Sequence, residues 1–195
     1  KRLFAAVFAV LAAVSGFSQS AFTPVAGESP LTGPLPGDQV FPAVAIGTNG
    51  GFVVWQDNVT DGSGWGISAL RVNNNLSGSQ APFRVNETAD GNQENARVAL
   101  LPSGGAVIVW QGGALGAQRI FARFLSPDGT FATGELMVNT YTGGQQINPN
   151  LAVLSDGSIV VAGTVDGNFD GQATDGDMLV ARYAPRHLAA RAVGA

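Results

Sequence analysis

One motif is written three times along the chain, and this repetition constrains the fold more than any other feature. The copies are VAIGTNGGFVVWQ at 44–56, VALLPSGGAVIVWQ at 98–111 and LAVLSDGSIVVAGT at 151–164. Each copy runs from a short apolar segment through a glycine-centred turn to a segment rich in Val and Ile, which predicts a tight β-hairpin. Trp55, Trp110 and Ala162 then fall on equivalent positions, 55 and 52 residues apart. A hairpin that recurs about every 50 residues predicts a repeat array such as propeller blades.

Turn residues and alternating hydrophobicity predict four short strands in each of the first two repeats and three in the last. The expected strands are 41–46, 52–56, 66–72 and 83–86, then 97–101, 106–111, 119–125 and 136–139, then 150–154, 159–163 and 178–183. Four antiparallel strands per unit form the blade of a β-propeller. We therefore predict an all-β fold of tandem four-stranded antiparallel blades, with three repeats that make a partial or open propeller.

Three blades are too few to close a propeller. Propellers usually close with about four to eight blades, and closure protects the strand edges. Further blades are expected from a longer chain, of which this would be a fragment, or from another protomer. The predicted repeats are 38–90, 91–143 and 144–184, and an extended lead-in precedes them at 21–37. Residues 185–195 lose the strand pattern and are expected to be irregular or helical.

The start of the chain has the three parts of a secretory signal peptide, predicted at 1–20. Lys1 and Arg2 precede an apolar run from Leu3 to Val14, and small and polar residues follow up to Ser20. The alternative is an uncleaved anchor, but this run is shorter than the roughly 20 residues that span a bilayer. We predict a secreted, periplasmic or cell-surface protein with no membrane span after signal cleavage.

Charge and cysteine content exclude several classes of function. The net charge is -4 with a single lysine and dispersed arginines, so the chain lacks the basic stripe that binds nucleic acid. It contains no cysteine, which excludes disulfides, thiolate metal sites and a thiol nucleophile. The expected partner is an extracellular ligand, either a protein or a glycan.

Short segments around the hairpins carry a resemblance to a known kind of protein. The segments FRVNETADGNQ and MVNTYTGGQQINP, with the hairpins that follow them and then IFARF and MLVARY, resemble the repeats of secreted bacterial β-propeller proteins. The resemblance covers about 38–183. It implies a propeller-type fold and an exported protein, and it carries no catalytic residues, because such repeats are scaffolds whose sites differ from protein to protein.

The loop DGNFDGQATDGD at 166–177 has the order of a calcium-binding loop. Oxygen ligands stand at positions 1, 3, 5, 9 and 12, a backbone carbonyl at position 7, and Gly171 at position 6 permits the sharp turn. The candidate ligands are Asp166, Asn168, Asp170, Gln172, Thr174 and Asp177. Its strand-flanked, Asp-rich character resembles the calcium loops of integrin-type propeller repeats. The alternative is a polar hairpin loop in which Asp, Asn and Gly act only as turn formers.

Other side chains have a structural and a functional interpretation. Trp55 and Trp110 lie in the most apolar strands and are expected in the core. Trp65 lies in a loop of Gly and Ser, where it either stacks on a sugar or covers a neighbouring blade. A third set, Arg71, Arg123 and Arg182, is expected at equivalent positions of the third strands.

Catalytic groups are scarce. The single histidine, His187, lies in the tail, which excludes a Ser-His-Asp triad inside the repeats. The glutamates are Glu28, Glu87, Glu94 and Glu135. We therefore predict an exported, non-enzymatic binding or surface-scaffold module. The alternative is a fragment of a carbohydrate-active propeller enzyme, a glycoside hydrolase or lyase, in which two acids would converge within about 5 to 10 Å.

The calcium hypothesis predicts a stability effect. Four carboxylates within 166–177 would repel one another, so a bound cation should stabilise the folded form by mass action. The melting temperature should rise as calcium is titrated to about 10 mM, above the extracellular affinity class of about 10⁻⁴ to 10⁻³ M. The Asp166→Ala, Asp170→Ala double variant should lose this shift; an equal shift in that variant would favour the ordinary polar loop.

Overall fold

The computed structural model describes residues 27–28, 30–166 and 176–184, and these ranges contain eleven β-strands and no helix. The strands are β1 (Gln39–Gly47), β2 (Gly50–Asp57), β3 (Gly66–Val72), β4 (Phe83–Arg84), β5 (Asn92–Leu100), β6 (Ala106–Gly113), β7 (Arg119–Leu125), β8 (Leu136–Met137), β9 (Gln145–Val153), β10 (Ile159–Asp166) and β11 (Gly176–Tyr183). All of them belong to one compact unit, Leu31–Ala195. Within the described ranges nothing long, helical and apolar enough to cross a membrane is present.

The strands form three antiparallel sheets in chain order, which we call blade 1 (β1–β4), blade 2 (β5–β8) and blade 3 (β9–β11). The prediction of an all-β fold built from antiparallel propeller blades is confirmed, and so is the strand count of four, four and three. The predicted signal peptide and tail lie outside the described residues, as does His187.

The first strands of blades 2 and 3 begin five residues earlier than alternation predicts, at Asn92 and Gln145. The cause is a β-bulge, in which two residues of the first strand face one residue of the second. The bulge residues Phe41, Asn95 and Asn148 have left-handed backbone conformations, with φ of 51, 54 and 54°. A bulge interrupts the alternation of apolar and polar residues. The residues before it therefore do not continue the pattern that predicts the strand.

The bulges also fix which residues of the three repeats are equivalent. They lie opposite Trp55, Trp110 and Gly163 in the second strands. The prediction that Ala162 is equivalent to the two tryptophans is therefore wrong by one residue, and Gly163 takes that position. Aligning the motifs by sequence does not account for the bulge.

The fourth strands are shorter than predicted because an asparagine side chain continues each of them. Val85 and Val138 donate their N–H groups to Ile67 and Ile120, and the next residues are Asn86 and Asn139. Asn86 Oδ1 accepts the Ile67 N–H at 2.8 Å, and Asn139 Oδ1 accepts the Ile120 N–H at 2.9 Å. A side-chain amide thus pairs buried N–H groups where the strand ends.

Each second strand of blades 1 and 2 is apolar without alternation because both of its faces are buried. In blade 2, Ile108 and Trp110 pack against blade 1, whereas Val107 and Val109 pack against blade 3. The core between blades 1 and 2 contains Phe52, Val54, Ile67, Ala69, Val85, Ala96, Ala106, Ile108, Trp110 and Leu125. The core between blades 2 and 3 contains Val107, Val109, Ile120, Ala122, Phe124, Ile159 and Val161.

A glutamine from each of the first two blades clamps the bulge of the next blade. Gln56 Oε1 accepts the backbone N–H of Asn95 at 3.1 Å, and Gln111 Oε1 accepts the backbone N–H of Asn148 at 2.7 Å. Gln111 Oε1 also accepts the Asn95 side-chain amide at 3.0 Å. A bulge leaves a backbone group unpaired in its own sheet, and the preceding blade supplies its partner.

Gln111→Leu should destabilise the fold, because the substitution leaves the two donors from Asn95 and Asn148 without this acceptor. We expect a loss of about 1 to 3 kcal/mol in the free energy of unfolding, measured by denaturant titration. Gln80→Leu, at an exposed position outside the clamp, is the matched control and should change stability by less than about 0.5 kcal/mol. Equal effects of the two variants would refute the clamp.

Candidate functional site

A cluster of amide side chains surrounds one carboxylate at the bulged part of the first strands. Glu94 is the only acidic residue on β1, β5 and β9. Its Oε2 atom accepts hydrogen bonds from Gln118 Nε2 at 3.1 Å and from Gln111 Nε2 at 3.5 Å. Gln111 Nε2 also donates to Gln118 Oε1 at 3.1 Å. The three side chains form a closed hydrogen-bonded triangle that fixes the orientation of the carboxylate.

The cluster reaches both neighbouring blades. Asn95 Nδ2 donates to Asn148 Oδ1 at 3.3 Å, which adds a direct link from blade 2 to blade 3. Gln111 and Gln118 are 5% and 3% exposed, whereas Glu94 is half-buried and Asn148 is exposed. We call Glu94, Asn95, Gln111, Gln118 and Asn148 the first-strand cluster. The two glutamines are thus buried, whereas the carboxylate and Asn148 are accessible to solvent.

Trp65 lies beside this cluster. Its backbone carbonyl accepts the N–H of Gln93 at 2.7 Å, and its own N–H donates to Asn92 Oδ1 at 3.3 Å. Gln118 holds the corresponding place in blade 2, because its carbonyl accepts the N–H of Gln146 at 2.9 Å. The loop between β2 and β3 is therefore fastened to β5 within two residues of Glu94, and it leaves Trp65 half-buried.

The other tryptophans are core residues, as predicted. Trp55 is 5% exposed and Trp110 is fully buried. The indole N–H of Trp110 donates to Gln93 Oε1 at 3.1 Å. The indole N–H of Trp55 is buried and has no hydrogen-bond partner in the described part of the chain.

A second pair of carboxylates joins the outer edges of blades 1 and 2. Glu135 Oε2 accepts the backbone N–H of Glu87 at 2.8 Å, and Glu87 Oε2 accepts the backbone N–H of Glu135 at 3.1 Å. Arg123 forms an ion pair with Glu87 at 2.6 Å and donates to the Val85 carbonyl at 2.7 Å. No local pattern predicted this pair, because 48 residues separate the two glutamates. Both Glu87 oxygens and Glu135 Oε2 are engaged within the fold, so we assign the pair to bridging the blades.

The arginines are not all equivalent, contrary to prediction. Arg71 pairs with Phe52 and Arg182 with Val160, which are matching positions. Arg123 pairs with Ile108 and therefore points to the opposite face, toward blade 1. When the blades are aligned by their bulges, Arg123 is therefore one residue away from the position that Arg71 and Arg182 share.

Asp57 is a buried carboxylate beside a small cavity. It is 3% exposed and accepts hydrogen bonds from Ser68 Oγ at 2.5 Å and from the Thr60 and Val59 N–H groups at 2.7 and 3.0 Å. The cavity has a volume of about 170 Å³ and is also lined by Trp55. Burial would raise the pKa of Asp57, but these hydrogen bonds outweigh burial and lower it below the ordinary value of 3.8. Oδ1 holds the start of the β2–β3 loop through Val59 and Thr60, and Oδ2 holds Ser68 of β3.

Most of the predicted calcium ligands fall on residues outside the described ranges, namely Asn168, Asp170, Gln172 and Thr174. Asp166 pairs with Gly176, and Asp177 pairs with Val165. Successive residues of a strand point to opposite faces, so the register places these two aspartates on opposite faces of the hairpin. Asp166 Oδ2 accepts a hydrogen bond from Gln145 Nε2 at 3.2 Å. Calcium binding stays a prediction; among the described residues no group of three or more potential ligands occurs.

No protein-family model and no curated protein sequence matches the chain. Among solved structures the fold is similar to an endo-arabinase from Bacteroides thetaiotaomicron VPI-5482, with 12% identity and a TM-score of 0.46 over 85% of this chain and 62% of that one. A thermostable family-43 glycoside hydrolase matches with 10% identity and a TM-score of 0.43 over 68% of this chain and 50% of that one. The chain thus spans about half to three fifths of the structures that it matches.

These matches contradict the prediction that the protein is not an enzyme, because both matched structures are glycoside hydrolases. At 10 to 12% identity, the similarity concerns the fold alone.

The lowered pKa of Asp57 predicts a pH-dependent contribution to stability. A carboxylate whose pKa is lower in the folded state stabilises the fold above its unfolded pKa of about 3.9 and loses that effect as pH falls through the folded pKa. Asp57→Asn should therefore be less stable than the wild type at pH 7, and the difference should shrink below about pH 4. Urea unfolding between pH 7 and 2 measures this, with the exposed Asp90→Asn as control. A difference that does not change with pH would show that Asp57 contributes through shape alone.

Proposed function

We propose that the chain is part of a carbohydrate-active propeller enzyme of the glycoside hydrolase or lyase class, whose glycan binds at the first-strand cluster. The observation that carries the proposal is the half-buried carboxylate of Glu94, oriented by the carboxamides of Gln111 and Gln118. A hydroxyl group both donates and accepts hydrogen bonds, and carboxamides offer both functions side by side. A cluster of this composition suits a ligand that is rich in hydroxyl groups.

Trp65 supports the same ligand class. It is half-buried and is held by backbone hydrogen bonds next to the strand that carries Glu94. The flat indole offers an apolar surface to the face of a sugar ring, and its N–H can still find a polar partner. Small-ligand sites combine aromatic side chains with a small number of placed polar groups, and Trp65 would supply the aromatic part here.

The chemistry of glycoside cleavage needs a second carboxylate. Hydrolases of this type use two acids on either side of the scissile bond, about 5 to 10 Å apart. The outer pair of Glu87 and Glu135 is engaged in bridging, so within the described residues Glu94 is the one acid of the first-strand cluster. The proposal therefore assigns the second acid to residues beyond the described ranges, either in further blades of a longer chain or in another protomer.

The proposal keeps three sequence predictions as its setting. The enzyme acts outside the cytoplasm, as the signal segment suggests, and calcium stabilises the loop 166–177 that follows β10. Its partner is an extracellular glycan rather than nucleic acid, which fits the absence of a basic stripe. The solved structures support the fold in which such a site would lie.

Glu94→Gln tests the proposed role. The substitution keeps the size of the side chain and removes its charge, so release of sugar from polysaccharide should fall by about 10² to 10⁴-fold if Glu94 acts as general acid or base. The assay measures reducing ends released from a panel of purified polysaccharides, including arabinan because one matched structure is an endo-arabinase.

Two further variants sharpen this test. Glu135→Gln removes a carboxylate from the bridging pair and should leave turnover unchanged in the fraction that folds. Trp65→Ala should weaken polysaccharide binding by about 2 to 10-fold, the worth of one aromatic contact, and Leu115→Ala in an exposed loop is its control. Absence of polysaccharide binding across the panel, or full activity of Glu94→Gln in a protein that includes the second acid, would refute the proposal.

A further inference from the structure

A cavity lies between blades 1 and 2, at the end of the sheets opposite the first-strand cluster. It has a volume of about 370 Å³, and it is lined by the β1–β2 turn, the β5–β6 turn and Arg71 of β3. This volume lies within the usual range of small-ligand pockets, about 300 to 1,000 Å³. The described lining residues belong to two blades that adjoin each other, so the cavity is not at either end of the array.

Arg71 projects into the space between the two blades. It pairs with Phe52, which belongs to the core between blades 1 and 2, and directly paired residues share one face of a sheet. Its aliphatic stem packs on the β7–β8 turn of blade 2, because a Cβ atom added to Gly129 would lie 3.1 Å from Arg71 Cδ. Its Nη1 atom donates to Ser79 Oγ at 3.5 Å, which is a weak hydrogen bond. Among the described residues Arg71 forms no ion pair.

Arg182 holds the equivalent position in blade 3 and has the partners that Arg71 lacks. Arg182 Nη2 donates to Asp156 Oδ2 at 2.9 Å and to Ser158 Oγ at 3.2 Å. Asp156 belongs to the β9–β10 hairpin turn, and Ser158 directly precedes β10. In blade 3, the hairpin itself therefore neutralises the arginine.

The hairpin turn of blade 1 supplies no carboxylate. It consists of Thr48 and Asn49, which are uncharged. Register places Gly50 where blade 3 has Ser158, so this hydroxyl is missing as well. The cavity thus opens beside Arg71 where another repeat of the same chain carries a counter-ion.

One acid, Asp128, follows the cavity residue Pro127 on the β7–β8 turn and is exposed. Its Oδ1 atom accepts hydrogen bonds from the N–H and hydroxyl groups of Thr130 at 2.9 and 2.7 Å. These hydrogen bonds lower the pKa of Asp128, and the charge of Arg71 lowers it further. The two side chains form no ion pair, so Asp128 is a neighbouring charge and not the partner of the guanidinium.

We propose that this cavity binds a small organic acid, whose carboxylate pairs with Arg71 as Asp156 pairs with Arg182. A guanidinium binds a carboxylate through two parallel N–H donors, and Nε and Nη2 of Arg71 donate no hydrogen bond to the described residues. Leu100 and Pro127 line the same cavity and offer apolar contacts to the rest of the molecule. The volume suits a ligand of the size of one sugar acid.

D-Glucuronate is the probe, and D-glucose is its uncharged counterpart. Isothermal titration calorimetry of the full chain at low, constant ionic strength should show D-glucuronate binding with a Kd on the order of 1 mM, and D-glucose should not displace it. Arg71→Gln should weaken binding by about 10 to 100-fold, because charge-assisted hydrogen bonds are lost. Arg182→Gln is the matched control and should leave the Kd unchanged, because Arg182 is already paired within blade 3.

Two variants at exposed positions keep the proposal falsifiable if Arg71→Gln does not fold. Asn49→Asp gives the turn of blade 1 the kind of carboxylate that blade 3 has, so it should occupy Arg71 and weaken D-glucuronate binding by about 10-fold or more. Asp128→Asn removes a neighbouring negative charge and should strengthen binding by about 2 to 5-fold.

Three outcomes would overturn the inference. One is the absence of saturable D-glucuronate binding up to about 20 mM, well above the expected Kd. Another is unchanged binding in Arg71→Gln or in Asn49→Asp. The third is displacement by inorganic phosphate at equal affinity, which would mean that the cavity attracts anions without selecting a carboxylate. The inference is independent of the proposed enzymatic function, and Glu94→Gln should bind D-glucuronate in this cavity as the wild type does.

Discussion

The array depends on the hydrogen bond between a glutamine carboxamide and the bulge of the following blade. The bulge costs each first strand a regular pair, and its left-handed backbone is unfavourable for most residues, although the Asn at two of the three bulges tolerates it better than most. Gln111 Oε1 recovers the pair from the next sheet by accepting the N–H of Asn148. The same glutamine donates to Glu94 through its other amide atom. One side chain therefore joins two blades and sets the geometry of the only acid on the first strands.

Local patterns predicted the strands well because hairpins are local structures. Glycine turns and runs of Val and Ile place β2, β6 and β10 to within a few residues, and β3 and β7 match their predicted limits. The first strands were truncated in the prediction because a bulge interrupts alternation. The equivalence of Ala162 with Trp110 and that of Arg123 with Arg71 failed for the same reason, since a shift of one residue moves a side chain to the other face.

The candidate site was much harder to predict than the fold. The sequence favours the loop 166–177, where oxygen-bearing residues are contiguous. The first-strand cluster is assembled from β5, β6, the start of β7 and β9, so no local pattern predicts it. Two signals were available in retrospect. The sequence VWQ occurs in two repeats, and conserving a polar glutamine beside the most apolar strand indicates a specific partner. Glu94 is also the one acid on the three first strands, and it directly precedes the bulge of β5.

Thr164 stands where Gln56 and Gln111 stand in the other blades, so blade 3 receives a clamp but offers none of that kind. Without this clamp, the two ends of the array should open with different ease. Within the described residues, blade 2 adjoins a blade on each side, whereas blade 3 adjoins one blade and has three strands. In an array whose cooperativity comes from interfaces between neighbouring repeats, opening begins at the repeat with fewest such couplings. Amide hydrogen exchange in this chain should therefore progress from β11 inward, and the backbone around Trp110 should be the last to exchange.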